Sequence, residues 1–304
     1  MQVDNDVRLS RAKLSLEGLS IGDAFGERFF VHPDLLENLI AQRAIPTPPW
    51  RFTDDTMMAM SIFSILRQYN GIVQDWLALS FAHRYDSSRG YGPSMHGLLD
   101  KLRSGEGWKV AAKNLFAGQG SYGNGAAMRV APIGAYFADD LDSAVKHAHY
   151  SAEITHTHPE AIAGAIAVAV ASAWACRLRN DDPLPTLAEF LDLILPLIPK
   201  SEVSSKIRKA RDMGENASVQ FAISVLGNSS SISAQDTVPF ALWCAAQHLR
   251  NYEEALWLTV SGEGDRDTTC AIVGGIVVNS ASSNSIPQEW LDSREPLPDW
   301  PFQE

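Results

Sequence analysis

An all-α fold, built as one compact multi-helix domain over residues 1–304, follows from three observations. Apolar residues recur at three- and four-residue spacing along most of the chain, alternating segments bounded by hairpin turns are absent, and no long polar linker interrupts the sequence. At 304 residues and 45% hydrophobic content the chain can bury a large core. The longest turn-prone stretches, 179–185 and 227–233, are too short to tether independent domains and read as loops between helices.

Helical periodicity covers residues 110–116, 141–152, 161–178, 187–195, 235–249 and 252–259. Gly18, Gly22 and Gly26 place small residues at four-residue spacing, which reads as a first helix packed closely on a neighbour, with Asp23 in a structural role. The β-branched run 271–278 follows an Asp-Thr-Thr cap and contains Gly274 and Gly275, so it reads as a tightly packed central helix rather than a strand. The Ala- and Gly-rich segment 161–173 reads as a second central helix. No fixed-period repeat supports a solenoid.

The net charge of -11 gives no electrostatic footprint for nucleic acid and disfavours an anionic membrane surface. Cys176, Cys244 and Cys270 are odd in number and sit in or beside apolar helical runs, so they read as reduced thiols. The first eleven residues lack the apolar run of a signal peptide, and no segment reads as a membrane span without polar breaks. A reducing, cytoplasmic setting is the expectation.

Four clusters carry chemistry. Thr53, Asp54, Asp55 and Thr56 stand at a helix start, where one Asp or Thr suffices as a cap and four oxygen-bearing side chains exceed the need. Asp265, Asp267 and Thr268 repeat the pattern about two hundred residues later, before another helix. Both sets offer only hard oxygen donors, without the Cys or His pairing of a zinc site, which points to Mg²⁺ with Mn²⁺ as a substitute. Brought face to face, the clusters would repel each other unless divalent cations intervened, so a binuclear Mg²⁺ site is the physical reading.

The stretch 118–129 holds four glycines and Asn124, and a loop of this kind can turn consecutive N–H groups toward phosphate oxygens. Phe116 and Tyr122 flank it and are candidates to bracket a purine ring, although core packing is the commoner use of two such aromatics. In the stretch 154–161, Pro159 suits a helix start, and His156 or His158 is a candidate donor to a phosphate or ribose, with a capping or structurally satisfied His as the usual alternative.

In order, Gly22-Asp23-Ala24-Phe25-Gly26, Thr53-Asp54-Asp55-Thr56, Tyr91-Gly92-Pro93-Ser94, Gly123 to Arg129, Thr155-His156 with Pro159-Glu160-Ala161, and Asp265-Arg266-Asp267-Thr268 resemble the ADP-ribosylglycohydrolase family over residues 12–290. The resemblance implies a helical domain with two Mg²⁺ ions at the base of a cleft. Thr53, Asp54, Asp55, Asp265, Asp267 and Thr268 would be the metal ligands. Phe116, Ser121, Tyr122, Gly123, Asn124 and His156 would hold ADP-ribose.

The implied reaction removes ADP-ribose from a modified protein side chain or small molecule, releasing ADP-ribose, with Asp54 or Asp55 accepting the proton of the attacking water. Alternative readings are hydrolysis of another ADP-ribose derivative, or a non-catalytic ADP-ribose-binding or immunity protein.

Two residues depart from the family pattern. Phe30 stands where many relatives carry a lid Glu, with Glu27 about one turn before it. Arg266 stands between the metal-binding aspartates, where Thr is commoner.

Overall fold

A computed structural model describes residues 4–214, 216–281 and 285–303. It confirms the all-α expectation: sixteen α-helices are found among the described residues, and the pairing of extended backbone is confined there to two isolated bridges, Trp50 with Arg294 and Gly123 with Ser233.

The centre is a pair of helices from opposite ends of the sequence, α1 (Asn5–Glu27) and α15 (Arg266–Ser280). They run antiparallel and nearly touch along one seam. A Cβ added at Gly18 would lie 2.5 Å from the Gly274 carbonyl oxygen, at Gly22 2.1 Å from that of Cys270, and at Gly26 2.3 Å from that of Arg266. Any side chain there would force the helices apart, which is why the small residues recur at every fourth position. Ser15 Oγ donates to the Gly275 carbonyl at 2.7 Å and Tyr252 Oη to that of Gly18 at 2.6 Å, so polar groups inside the seam are satisfied.

Around this pair pack α3 (Asp54–Tyr69), α7 (Ala131–Tyr136), α9 (Pro159–Arg177), α13 (Ala234–Gln247) and α14 (Tyr252–Val260). Outside them lie α8 (Leu141–Glu153) on α9 and α11 (Glu202–Asp212) on α13, with α10 (Leu187–Ile194) and α12 (Val219–Leu226) alongside. Helices α4 (Gln74–Arg84), α5 (Pro93–Arg103) and α6 (Trp108–Lys113) follow one another from α3, and α2 (Pro33–Gln42) and α16 (Gln288–Ser293) complete the set. The far end of α1 is fixed by an aromatic cluster, in which Phe25 stacks on Trp290 at 4.4 Å between centroids and meets Trp257 edge-on at 5.1 Å.

The segment 271–278 is helical and buried within α15, and 161–173 is the buried body of α9, as the small-residue composition predicts. Two expectations change. The helix expected over 110–116 stops at Lys113, because Phe116 and Ala117 adopt φ of 53° and 58° and turn the chain into the glycine loop. The segment Pro159–Asn180 does have the length and hydropathy to cross a membrane, but 78% of its apolar window is buried inside the fold, so the apolarity serves core packing. The three cysteines are unpaired, and burial pushes the Cys176 thiol up to about 12.

Candidate metal centre and ligand cleft

The α1–α15 seam sets the site, because it puts Asp23 beside the first turn of α15. A carboxylate on the glycine-bearing face of a buried helix has nowhere to go but inward, and Asp23 is fully buried. Its oxygens accept from the Thr53 backbone N–H at 2.9 Å, from Thr53 Oγ1 at 2.8 Å, from the Thr56 N–H at 3.1 Å and from Thr56 Oγ1 at 2.6 Å. Asp23 thus caps the start of α3 from a different helix, while Thr53, at the N-cap position, makes no side-chain capping bond of its own. The structural role expected for Asp23 is visible in these bonds.

A second property of Asp23 was not read from the sequence. Single carboxylate oxygens of Asp23, Asp55 and Asp267 lie within 4.8 Å of one another, a spacing at which one cation can bridge three ligands. The signal that points to it is the position of the acid within Gly22 to Gly26, a helix face that must be buried.

Of the six expected ligands, Asp55 and Asp267 belong to this group. Thr53 stands against it, its hydroxyl 2.8 Å from Asp23 and 2.9 Å from Asp55. Asp54, Asp265 and Thr268 line the adjoining cleft, and Asp265 Oδ2 accepts from Asn124 Nδ2 at 2.8 Å.

The oxygens are poorly satisfied by the protein itself. Asp55 Oδ1 and Asp267 Oδ1 are buried and have no hydrogen-bond partner among the described residues. Burial, and then the neighbouring carboxylates, hold Asp54, Asp55 and Asp267 well above the ordinary aspartate range, and burial raises Asp23 to about 6. Orphaned oxygens that face each other and resist ionisation are what a hard divalent cation relieves, so the residues present fit such an ion.

The cleft above this group has a volume of about 330 Å³. It is lined by Asp54, Asp265, Asp267 and Thr268, by Gly90, Gly92 and Pro93, and by the glycine loop from Ser121 to Gly125. That loop is held by its neighbours. Asn124 N–H donates to the Ile232 carbonyl at 3.2 Å and Ala234 N–H to that of Tyr122 at 2.9 Å, while Gly120, at φ 75°, leaves no room for a Cβ beside Thr157. Ser121 is buried and its Oγ accepts from the Gly123 N–H at 3.2 Å.

Phe116 and Tyr122 also line the cleft, both about half exposed, with centroids 6.3 Å apart and planes 28° from parallel. His156 lines the cleft from beneath the loop, and burial with nearby Arg129 lowers it to about 3, so it is neutral. Asn124 lines the cleft as well. Its side-chain nitrogen is shared among Asp265, Ser229 and Thr237, which makes it a brace for the aspartate. His158 caps α9 through Nδ1.

Glu27 lies one turn beyond Asp23 at the exposed end of α1. Burial raises its pKa first, and Asp23 and Asp265 raise it further. Phe30, 49% exposed, lies against Arg266 with the guanidinium 5.5 Å from the ring centroid.

Relatives share this chain's pattern over most of its length. A human protein named ADP-ribosylhydrolase ARH3 is 28% identical across 94% of this chain and 90% of its own. An uncharacterised protein of Archaeoglobus fulgidus is 36% identical across 68% of this chain and 62% of its own, and the Escherichia coli protein YegU is 28% identical across 74% and 70%. A solved structure described as an ADP-ribosylglycohydrolase-related protein complex superposes with a TM-score of 0.66 at 22% identity, covering 95% of this chain and 94% of that one, which supports the fold. With the ADP-ribosylglycohydrolase profile matched by residues 4–301, over an acidic group and a glycine-walled cleft that the same residues build, this chain belongs to the ADP-ribosylglycohydrolase family.

Proposed function

We propose that this chain, acting as one domain over residues 1–304 in the cytoplasm, is a Mg²⁺-dependent hydrolase. It cleaves the N- or O-glycosidic bond between ADP-ribose and a modified protein side chain. The observation that carries the reading is a cleft lined both by Asp267, whose buried Oδ1 like that of neighbouring Asp55 is unsatisfied, and by an exposed aromatic pair. A ligand with ribose hydroxyls, a pyrophosphate and a purine matches that set of groups.

Thr53, Asp54, Asp55, Asp265, Asp267 and Thr268, with Asp23 behind them, would hold two Mg²⁺ ions, or Mn²⁺ in their place. When bound, such ions supply charge neutralisation, a grip on ribose hydroxyls and a water of lowered pKa. Asp54 or Asp55 would accept the proton of the attacking water and return it to the acceptor nitrogen or oxygen as the bond to C1″ breaks through an oxocarbenium-like transition state. The glycine loop meets the pyrophosphate with backbone N–H groups, which suits an acidic protein that has to bind a dianion. Phe116 and Tyr122 take the adenine.

Incubation with arginine-, serine- and threonine-linked ADP-ribose, with EDTA and after Mg²⁺ is restored, tests this. Release of ADP-ribose from at least one linkage, abolished by chelator and recovered with Mg²⁺, is the expected result. Full activity in chelator would sink the metal-dependent reading, and no turnover of any linkage would sink the hydrolase.

A further inference from the structure

His156 is more than nine-tenths buried, yet it lines the cleft, and what it can do there depends on which ring nitrogen carries the proton. The surrounding bonds decide this. Arg129 is fully buried, packs its guanidinium over Phe81 at 4.6 Å, and donates through Nη2 to the Ser151 carbonyl at 2.7 Å and to Thr155 Oγ1 at 2.9 Å. A guanidinium has no acceptor, so the direction of the Arg129–Thr155 bond is fixed: Thr155 accepts. The Thr155 hydroxyl then has its own proton left to give, and its remaining partner among the described residues is His156 Nδ1, 2.7 Å away. The hydroxyl donates and Nδ1 accepts.

We propose that Arg129 and Thr155 are positioning residues that lock His156 as the neutral tautomer protonated on Nε2, making it a dedicated hydrogen-bond donor to a ligand oxyanion in the cleft. The donor role rests on the reading of the cleft as an ADP-ribose site; the tautomer does not.

The other edge of the ring supports the assignment. Nε2 has no partner among the described residues, and the loop glycines keep that edge uncovered. A Cβ on Gly125 would stand 2.8 Å from Cε1 and 3.0 Å from Nε2, and one on Gly123 would stand 3.3 Å from Nε2. The two glycines therefore serve the histidine as well as the backbone turn. Protonating the ring would require Nδ1 to donate to an oxygen already engaged by Arg129, beside a buried cation. With Nε2 carrying its proton, His156 has no lone pair to offer the cleft and is excluded as a general base, which leaves proton acceptance to the carboxylates.

Two-bond ¹H–¹⁵N spectra of histidine-labelled protein read the tautomer directly, without ligand. In the wild type, His156 is expected to show a protonated Nε2 and an accepting Nδ1. Thr155→Val, close in shape but without the hydroxyl, should lose that signature and weaken ADP-ribose binding about tenfold, as expected when a donor to a charged group is no longer held. Thr155→Ser should restore both, and a thermal melt of each variant confirms that it is folded. A wild-type ring protonated on Nδ1, or an unchanged tautomer and affinity in folded Thr155→Val, overturns the proposal. Failure of the wild type to bind ADP-ribose overturns the reading on which the donor role rests, whereas a wrong tautomer in a protein that does bind ADP-ribose overturns this proposal alone.

Discussion

Phe30 and Arg266, the two residues that the sequence reading singles out against the resemblance, are in contact, with the guanidinium carbon 5.5 Å from the ring centroid. The ring is half exposed, and Arg266 is itself buried. A cation–aromatic pair of this kind is worth about 0.5–1 kcal/mol at an exposed site, so it contributes little to stability. Phe30→Ala is expected to leave the Kd for free ADP-ribose within about twofold and to raise KM for an acceptor-bearing substrate by about threefold or more. Equal effects on both constants would place Phe30 against ADP-ribose itself.

Glu27 is the natural substitute for a lid carboxylate, and the structure argues against that role. The side chain is at the exposed end of α1 and does not line the cleft, although it feels Asp23 and Asp265. Glu27→Gln should keep kcat within about threefold of wild type, and a loss of ~10² or more, the size typical of a missing acid or base, would reverse the assignment.

Asp267→Asn separates a metal ligand from a structural acid. Without metal, the substitution removes one member of a crowded carboxyl group, so the melting temperature in EDTA should hold or rise. The additional rise on adding Mg²⁺ should shrink, and kcat should fall by at least ~10². A lower melting temperature in EDTA with an undiminished response to Mg²⁺ would make Asp267 structural.

Tyr122→Ala should weaken ADP-ribose binding by ~1–3 kcal/mol if the ring stacks on adenine, with stability changed by ~0.5 kcal/mol or less because the side chain is 45% exposed. Calorimetric titration with ADP-ribose checks the first figure and denaturant melts the second. Unchanged affinity would leave Tyr122 as a packing partner of Phe116.

His147 sets a pH dependence of folding far from the cleft. Its Nδ1 accepts from the Ile72 N–H at 3.0 Å, its ring lies parallel to Phe137 at 4.5 Å, and burial lowers its pKa from 6.5 to about 4. The unfolded chain takes up the proton first as the pH falls, so the contribution is full above about 6.5 and is lost progressively toward 4. His147→Asn, which keeps an acceptor near the place of Nδ1 without the titration, should show a shallower fall in urea midpoint between pH 7 and 4.5. Parallel curves would remove His147 from the acid response.

The helices were legible where periodicity and small residues coincide, as in α9 and α15, because a helix packed on all sides must carry both signals. The polar start of α1 was not, since residues 5–11 form helix by facing solvent and by pairing Arg8 and Arg11 with Asp139, a partner far along the chain. In the site, the doubled acids around residues 54 and 266 stood out because capping alone does not need them. The proximity of Asp23 to Asp55 and Asp267, and the commitment of Asn124 to Asp265, depend on which helices meet, and no local pattern encodes that.

The glycine seam has a consequence for how the protein comes into being. Its two helices are separated by roughly 250 residues of chain, so the contact that unites Asp23 with Asp267 carries close to the largest loop-closure cost the polypeptide can incur. A nascent chain that has emerged only as far as α14 owns Asp23, Asp54 and Asp55 but not the acids that complete the group. Until the last helices are released, those three carboxylates have no opposing face, and Gly18, Gly22 and Gly26 present an open groove on α1. Assembly of the acidic centre is therefore a late event, tied to the delivery of α15 into that groove.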